Sequence, residues 1–267
     1  MKRIIAIANQ KGGVGKTTTN INLAACLAQA GKTVLVADMD PQGNTTSGFG
    51  VNKHEVKRSI YRLLLGESFL EQVALDVGIE GLKLLPSNID LSGAEIELLD
   101  MPGREFIFKN ALKHAKYLYD FILVDCPPSL NILTLNALCA ADTVLVPIQC
   151  EYYALEGLTQ LMHTIGLVQQ KLNPRLGIEG VVFTMFDSRT NLSAQVVEEV
   201  KSHLSEHAYK SIIPRNVRLS EAPSHGLPIS LYAPTSKGAE AYAQLASEVI
   251  AKDVMKVKKG LAKNETG

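Results

Sequence analysis

The sequence predicts an α/β fold, a doubly wound and mostly parallel sheet flanked by helices. Three observations carry that prediction. Short apolar runs rich in β-branched residues alternate with longer segments of helical spacing over most of the chain. The runs are apolar without alternation, which suits strands covered on both faces. The first run leads through a glycine-rich loop into a helical pattern, so that the helix N-terminus faces the loop.

In chain order, the predicted strands cover residues 4–8, 33–37, 82–85, 121–124, 143–148 and 178–184. Helices are predicted over 16–30, 129–139, 154–172, 193–203 and 236–252. Gly31 supplies a helix stop after the first, and Asn173-Pro174 ends the one from residue 154. Such alternation implies right-handed crossovers. The segment 48–103 is mostly helical and irregular in spacing, a candidate lobe beside the sheet. With no internal repeat or low-complexity linker, residues 1–252 read as one domain. Residues 253–267, with Lys256, Lys258, Lys259 and Lys263, read as a basic, fraying tail.

Composition narrows the function. The chain has 267 residues, 46% of them hydrophobic and 20% charged, enough apolar material for a substantial core. Lysines and arginines number 27, as do aspartates and glutamates, so the net charge is zero. Bulk charge therefore does not attract nucleic acid, and any such binding needs a local patch or two copies acting together. Cys26, Cys126, Cys139 and Cys150 form no Cys-x-x-Cys pair and read as buried hydrophobes in a reducing compartment. The apolar start breaks at Asn9-Gln10-Lys11, too soon for a secretory signal. No apolar stretch approaches the roughly 18 residues of a membrane span. The expected location is the cytoplasm.

The loop reads Lys11-Gly12-Gly13-Val14-Gly15-Lys16-Thr17-Thr18. Phosphate oxygens need converging N–H donors, and glycines let the backbone approach them closely. A helix starting at Lys16 adds unpaired N–H groups and its dipole. In this reading the loop binds ATP. Lys16 reaches the β- and γ-phosphates, and the Thr17 hydroxyl ligates Mg2+. The spacing departs from the usual phosphate-loop rule. Gln10 stands where the first glycine belongs, and an extra lysine, Lys11, opens the loop.

Two strands run into acidic ends, Asp38-Met39-Asp40-Pro41-Gln42-Gly43-Asn44 and Asp125-Cys126-Pro127-Pro128-Ser129. Ligands of open parallel sheets sit beyond the carboxyl ends of the strands, where these carboxylates fall. Asp125 suits the Walker B role of holding Mg2+ through water. Asp40 suits orienting or deprotonating the attacking water. For Asp38 a functional role competes with a structural hydrogen bond.

These runs resemble the ParA/Soj family of partition ATPases, P-loop NTPases with a deviant Walker A motif. Pro147-Ile148-Gln149-Cys150-Glu151-Tyr152-Tyr153-Ala154-Leu155-Glu156-Gly157 and Pro214-Arg215-Asn216-Val217-Arg218-Leu219-Ser220-Glu221-Ala222-Pro223-Ser224 match it too. The similarity covers about residues 3–250. It implies an ATPase that dimerises in the ATP state, with Lys11 reaching the partner's nucleotide. A cation that arrives only in the dimer neutralises developing phosphoryl charge as an arginine finger does. The resemblance assigns Pro214, Arg215 and Asn216 to the adenine side, and Arg189 and Arg218 to non-specific binding of double-stranded DNA. It implies nucleoid association, chromosome or plasmid segregation, and a ParB-type partner that stimulates hydrolysis.

The competing class is a MinD-like membrane-bound positioning ATPase. It needs a C-terminal amphipathic helix, and Lys256-Val257-Lys258-Lys259-Gly260-Leu261 offers little apolar area for one. An iron–sulfur carrier on the same core needs paired cysteines, which the spacing does not supply. A promoter-binding regulator would need a helix-turn-helix, and none precedes Lys2. His203 and His207 mimic a helical metal pair but lack a third ligand, and read as a solvated helix face.

Overall fold

Strict alternation along buried strands organises the molecule. In the first strand Ile4 and Ala6 face one apolar core, while Ile5 and Ile7 face another on the opposite side. A period of two places successive side chains on opposite faces, so an unbroken apolar run feeds two layers at once. The structure is a computed structural model that describes residues 2–152 and 154–264, with side chains described through residue 252.

The strands are β1 (Arg3–Ile7), β2 (Val34–Asp38), β3 (Leu75–Asp76), β4 (Leu82–Leu85), β5 (Phe121–Asp125), β6 (Thr143–Gln149), β7 (Gly177–Phe186) and β8 (Ala208–Pro214). They form one sheet in the order β3-β4-β2-β5-β1-β6-β7-β8. Every neighbouring pair is parallel except β3 with β4. The α-helices are α1 (Lys16–Gln29), α2 (Asn44–Gly48), α3 (Ile60–Leu64), α4 (Leu70–Val73), α5 (Leu91–Glu97) and α6 (Ile107–Ala111), then α7 (Ile132–Ala140), α8 (Ala154–Lys171), α9 (Asn191–Leu204), α10 (Val217–Glu221), α11 (Ile229–Tyr232) and α12 (Lys237–Asn264). One face of the sheet carries α1 and α10–α12, through Leu23, Leu219, Ile229, Tyr242 and Leu245. The other carries α3 to α9, through Leu63, Leu91, Phe108, Leu133, Leu158 and Val200. The doubly wound prediction holds.

Several boundaries and elements differ from the sequence expectation. Strand β8 was not predicted, because it is an edge strand whose Lys210 is exposed while Tyr209 and Ser211 are buried. Strand β3 has only two residues. The segment 48–103 does not stand apart as a lobe: Ile60, Leu63, Leu70, Val73, Leu91 and Leu98 belong to the core of the sheet. Helix α7 starts at Ile132 rather than 129, since Asn131 caps it by accepting a hydrogen bond from the Thr134 N–H at 3.1 Å. Helix α12 runs past Lys252 to Asn264, through residues expected to fray. The side chains of the tail lysines lie outside the described residues. Helix α9 ends at Leu204, so His207 falls on the connection to β8, and His203 and His207 do not share a helix.

At the amino ends of the strands, one cluster pins four of them. The buried Glu179 carboxylate on β7 accepts from Arg3 of β1 at 2.8 and 2.9 Å. It also accepts from the Thr143 hydroxyl of β6 at 2.8 Å and from the Tyr209 hydroxyl of β8 at 3.0 Å. Arg3 donates further to the Val249 carbonyl of α12 at 2.7 Å, which fastens the last helix to the sheet.

Candidate functional site

The loop between β1 and α1 wraps the start of α1. Gly13 and Gly15 adopt φ of 75° and 87°, a left-handed backbone open to glycine at little cost. At Gly15 the close neighbour is Thr184 at the end of β7, 3.6 Å from where a Cβ would stand. The Thr184 hydroxyl also donates to the Val14 carbonyl at 2.9 Å, tying the loop to the sheet.

Two cavities meet over this loop. The first, about 380 Å³, is lined by Gly12, Gly13, Gly15, Lys16, Thr17 and Thr18, with Asp40, Gln42, Asn44, Pro128 and Met185 closing it. The second, about 450 Å³, is lined by Pro214, Arg215 and Asn216, with Ile213, Val217, Leu219, Ser220, Pro223 and Tyr242. Gly15, Thr18 and Met185 border both. The predicted phosphate loop and the predicted base-side loop, some 200 residues apart in sequence, thus flank one continuous site. Its two halves differ in chemistry. N–H donors and charge line the first; proline and aliphatic side chains dominate the second, which suits a base.

Asp125 sits beneath the loop at the end of β5. One of its oxygens, Oδ2, accepts from the Thr17 hydroxyl at 2.7 Å and from the Thr45 hydroxyl at 2.8 Å. The other, Oδ1, is buried with no hydrogen-bond partner among the described residues. Burial pushes the Asp125 carboxyl above its ordinary range against the pull of both hydroxyls. Asp38 pairs with Asp125 across the parallel ladder. It is pushed up too, first by burial and then by the Asp125 charge. Lys16 is pushed down by burial, and Asp125 opposes that shift. A carboxylate with an unused buried oxygen next to a threonine hydroxyl is a donor set that fits Mg2+. The strain of two neighbouring buried carboxylates is the kind a divalent cation relieves.

Asp38 itself serves the structure. Its Oδ2 accepts from the Thr46 N–H at 2.8 Å and from the Thr46 hydroxyl at 2.7 Å, holding the first turn of α2. Asp40 is half-buried, and its Oδ1 accepts from the Gln42 N–H at 2.9 Å, which fixes the turn that faces the phosphate cavity.

The two lysines of the loop behave differently. Lys16 is buried, and its ammonium donates to the Lys11 carbonyl at 3.0 Å. Lys11 does not line the phosphate cavity of its own chain. Its Nζ pairs with Glu151 Oε2 at 3.1 Å, and the residue borders an adjoining hollow with Gln10, Leu130 and Glu156, which meets the phosphate cavity at Pro128.

Arg189 lies in the turn after β7, its side chain 83% exposed. It grips Asp187 with two hydrogen bonds, at 2.8 and 2.6 Å, and this holds the Asp187 carboxyl well below the usual range. Arg218 on α10 donates to Glu221 at 2.9 Å. The base-side loop links these two turns: the Arg215 N–H donates to the Phe186 carbonyl at 2.9 Å, one residue before Asp187.

Sequence reasoning missed Thr45, Gln42, Asn44, Pro128, Met185 and Tyr242. A signal for Thr45 was present in Thr45-Thr46 directly after an acidic strand end. Met185 and Tyr242 gave none, since they enter the site only through tertiary placement.

Comparison with known proteins shows the family. A family model described as "AAA domain" matches residues 2–178. The sporulation initiation inhibitor protein Soj of Bacillus subtilis is 57% identical over 251 residues, 94% of this chain and 99% of that protein. The chromosome partitioning protein ParA of Myxococcus xanthus is 53% identical over 254 residues, 95% of this chain and 90% of that protein. Among solved structures, cobyrinic acid a,c-diamide synthase of Mycobacterium smegmatis with bound ADP and magnesium is 40% identical, with TM-score 0.80 and 94% of each chain covered. The septum site-determining protein MinD of Pyrococcus horikoshii, complexed with Mg-ADP, is 29% identical, with TM-score 0.79 and 93% of this chain and 96% of that one covered. No described helix is long and apolar enough to cross a membrane. With relatives this similar over almost their whole length, and a phosphate loop opening on Lys11, the chain belongs to the Soj/ParA family of chromosome-partitioning ATPases.

Proposed function

We propose that this chain is an ATP-operated switch for chromosome or plasmid segregation. Two copies close on Mg-ATP, the dimer holds double-stranded DNA of the nucleoid without sequence preference, and a ParB-type partner stimulates hydrolysis and release. The observation that carries this reading is the position of Lys11. It opens a phosphate loop yet stands outside that loop's own cavity, parked on Glu151. A loop lysine with no phosphate of its own to reach is available to a second copy's nucleotide.

In this reading the N–H groups of Gly12, Gly13, Val14 and Gly15, with Thr17 and Thr18, hold the phosphates. Lys16 exchanges the Lys11 carbonyl for the β- and γ-phosphate oxygens. Pro214, Arg215 and Asn216 border the base. Thr17 and Asp125 hold Mg2+, Asp125 through water; the ion, when bound, supplies positive charge to the phosphate oxygens. Asp40 orients the attacking water, with Gln42 fixing its carboxylate. Lys11 of one copy leaves Glu151 to reach the phosphates of the other, so occupancy and dimerisation become one event. Arg189 and Arg218 each give up a half-buried carboxylate partner, Asp187 and Glu221, for DNA phosphates. Such exchanges are weak singly, and doubling them in a dimer gives binding that falls steeply with salt.

Light scattering with Mg-ATP tests the assignment. Asp40→Ala is expected to keep ATP binding, slow hydrolysis and accumulate dimer. Lys11→Ala is expected to bind ATP as a monomer. A Lys11→Ala protein that dimerised and hydrolysed ATP like the parent would remove the crossing lysine from the mechanism.

A further inference from the structure

Met185 is, among the described residues, the non-glycine with a left-handed backbone, at φ 51°. A bulky side chain at such an angle carries steric strain, and strained positions that persist tend to mark functional sites. Here the strain has a definite geometric result. Along β7, Val181 and Phe183 face the core beneath α3 to α9, and Val182 faces the core beneath α1 and α12. Thr184 follows Val182 and meets the phosphate loop. Alternation would turn the next residue away from the site. Instead Met185 borders the cavities lined by Gly15 and Thr18, and Phe186 packs on the opposite core. The left-handed turn therefore brings two consecutive residues, Thr184 and Met185, to the same side of the sheet. The ladder to β8 is irregular over the same stretch, between Phe183 and Phe186.

A glycine would take this turn without strain. A methionine there means that the side chain is wanted as well as the turn. It is half-buried and stands at the boundary between the phosphate cavity and the base cavity, where the sugar of a nucleotide that spans both must lie. A thioether chain is flexible and polarizable, well suited to packing on the C–H face of a ribose.

We propose that Met185 is a nucleotide-positioning residue whose side chain packs on the sugar of bound ATP and sets the angle between phosphates and base. This rests on the nucleotide reading above and adds a residue to it.

The test compares two probes by titration calorimetry, a non-hydrolysable ATP analogue with Mg2+ and Mg-tripolyphosphate, which has phosphates but no sugar. Met185→Ala is expected to weaken the ATP analogue about tenfold and tripolyphosphate by less than about twofold. Met185→Gly, free of strain, should lose the same amount, and Met185→Leu should recover most of it. Equal losses for both probes, unchanged affinity for the analogue in Met185→Ala, or parent-like affinity in Met185→Gly would each overturn the proposal. Lys16→Ala in the same series separates the two levels. If Lys16→Ala also leaves both probes bound, the nucleotide site itself is misassigned, and the proposal falls with it.

Discussion

Two buried charged clusters sit at opposite ends of the same sheet, and they are built to opposite ends. At the amino edge the Glu179 carboxylate receives donors on both oxygens, from Arg3, Thr143 and Tyr209. At the carboxyl edge Asp125 receives two hydroxyls on one oxygen and, among the described residues, no donor on the other. Its neighbour across the ladder is another buried carboxylate, Asp38. The first cluster balances its charge inside the chain. The second sets two buried carboxylates side by side, with Lys16 as the cation that acts on Asp125. A protein does not keep such an imbalance for stability, and this difference separates a staple from a site.

The largest expected effect lies at the staple. Arg3→Ala takes the guanidinium from a buried carboxylate and is expected to cost about 3–5 kcal/mol in urea unfolding, with nucleotide affinity of the folded fraction unchanged. A loss near zero would mean that Glu179 finds charge elsewhere. Next comes Asp125→Asn. It should slow ATP hydrolysis by about a hundredfold or more while leaving the nucleotide-free protein as stable as the parent or more so. A large drop in stability would make Asp125 a second staple and erase the contrast.

The two edges also differ in their response to pH. Asp38 and Asp125 titrate above the carboxylate value of 3.8 in the folded chain, chiefly through burial. The folded state thus holds their protons more tightly than the unfolded state does. Their stabilising contribution is complete below about pH 4 and is lost as pH rises toward neutrality. Melting of the nucleotide-free protein between pH 5 and neutrality should show this decline, and Mg-ATP or Asp125→Asn should flatten it. The smallest effect concerns the rim of the carboxyl edge. Asn216 caps α10 by accepting from the Arg218 N–H at 2.8 Å, so Asn216→Ala should cost about 1 kcal/mol and loosen ATP binding modestly. Intact ATP affinity in that variant would confine Asn216 to capping.

How much of this was legible depended on whether the signal was local. The phosphate loop is eight contiguous residues after a strand, and Asp40 and Asp125 announce themselves as acids at the ends of apolar runs. All three could be read directly. The position of Glu179 gave nothing away: its strand was predicted, but a glutamate within it is made tolerable by Arg3, 176 positions earlier. Met185 was hidden for a related reason. Alternation assigns it to the far side of the sheet, and only a backbone turn that the surrounding tertiary structure enforces brings it to the cavities. Strand β8 escaped because an exposed edge strand with Lys210 lacks the continuous apolar run that marked the interior ones.

The claim at the centre is that the carboxyl edge uses ATP to control a hold on DNA. It is tested most directly by measuring retention of double-stranded DNA with ADP, with ATP and with a non-hydrolysable analogue, each over a range of salt. Retention is expected with ATP and the analogue, absent with ADP, falling steeply with salt, and abolished by Arg189→Glu in a protein that still dimerises. Equal retention in ADP and ATP, or full retention by Arg189→Glu at low salt, would contradict it.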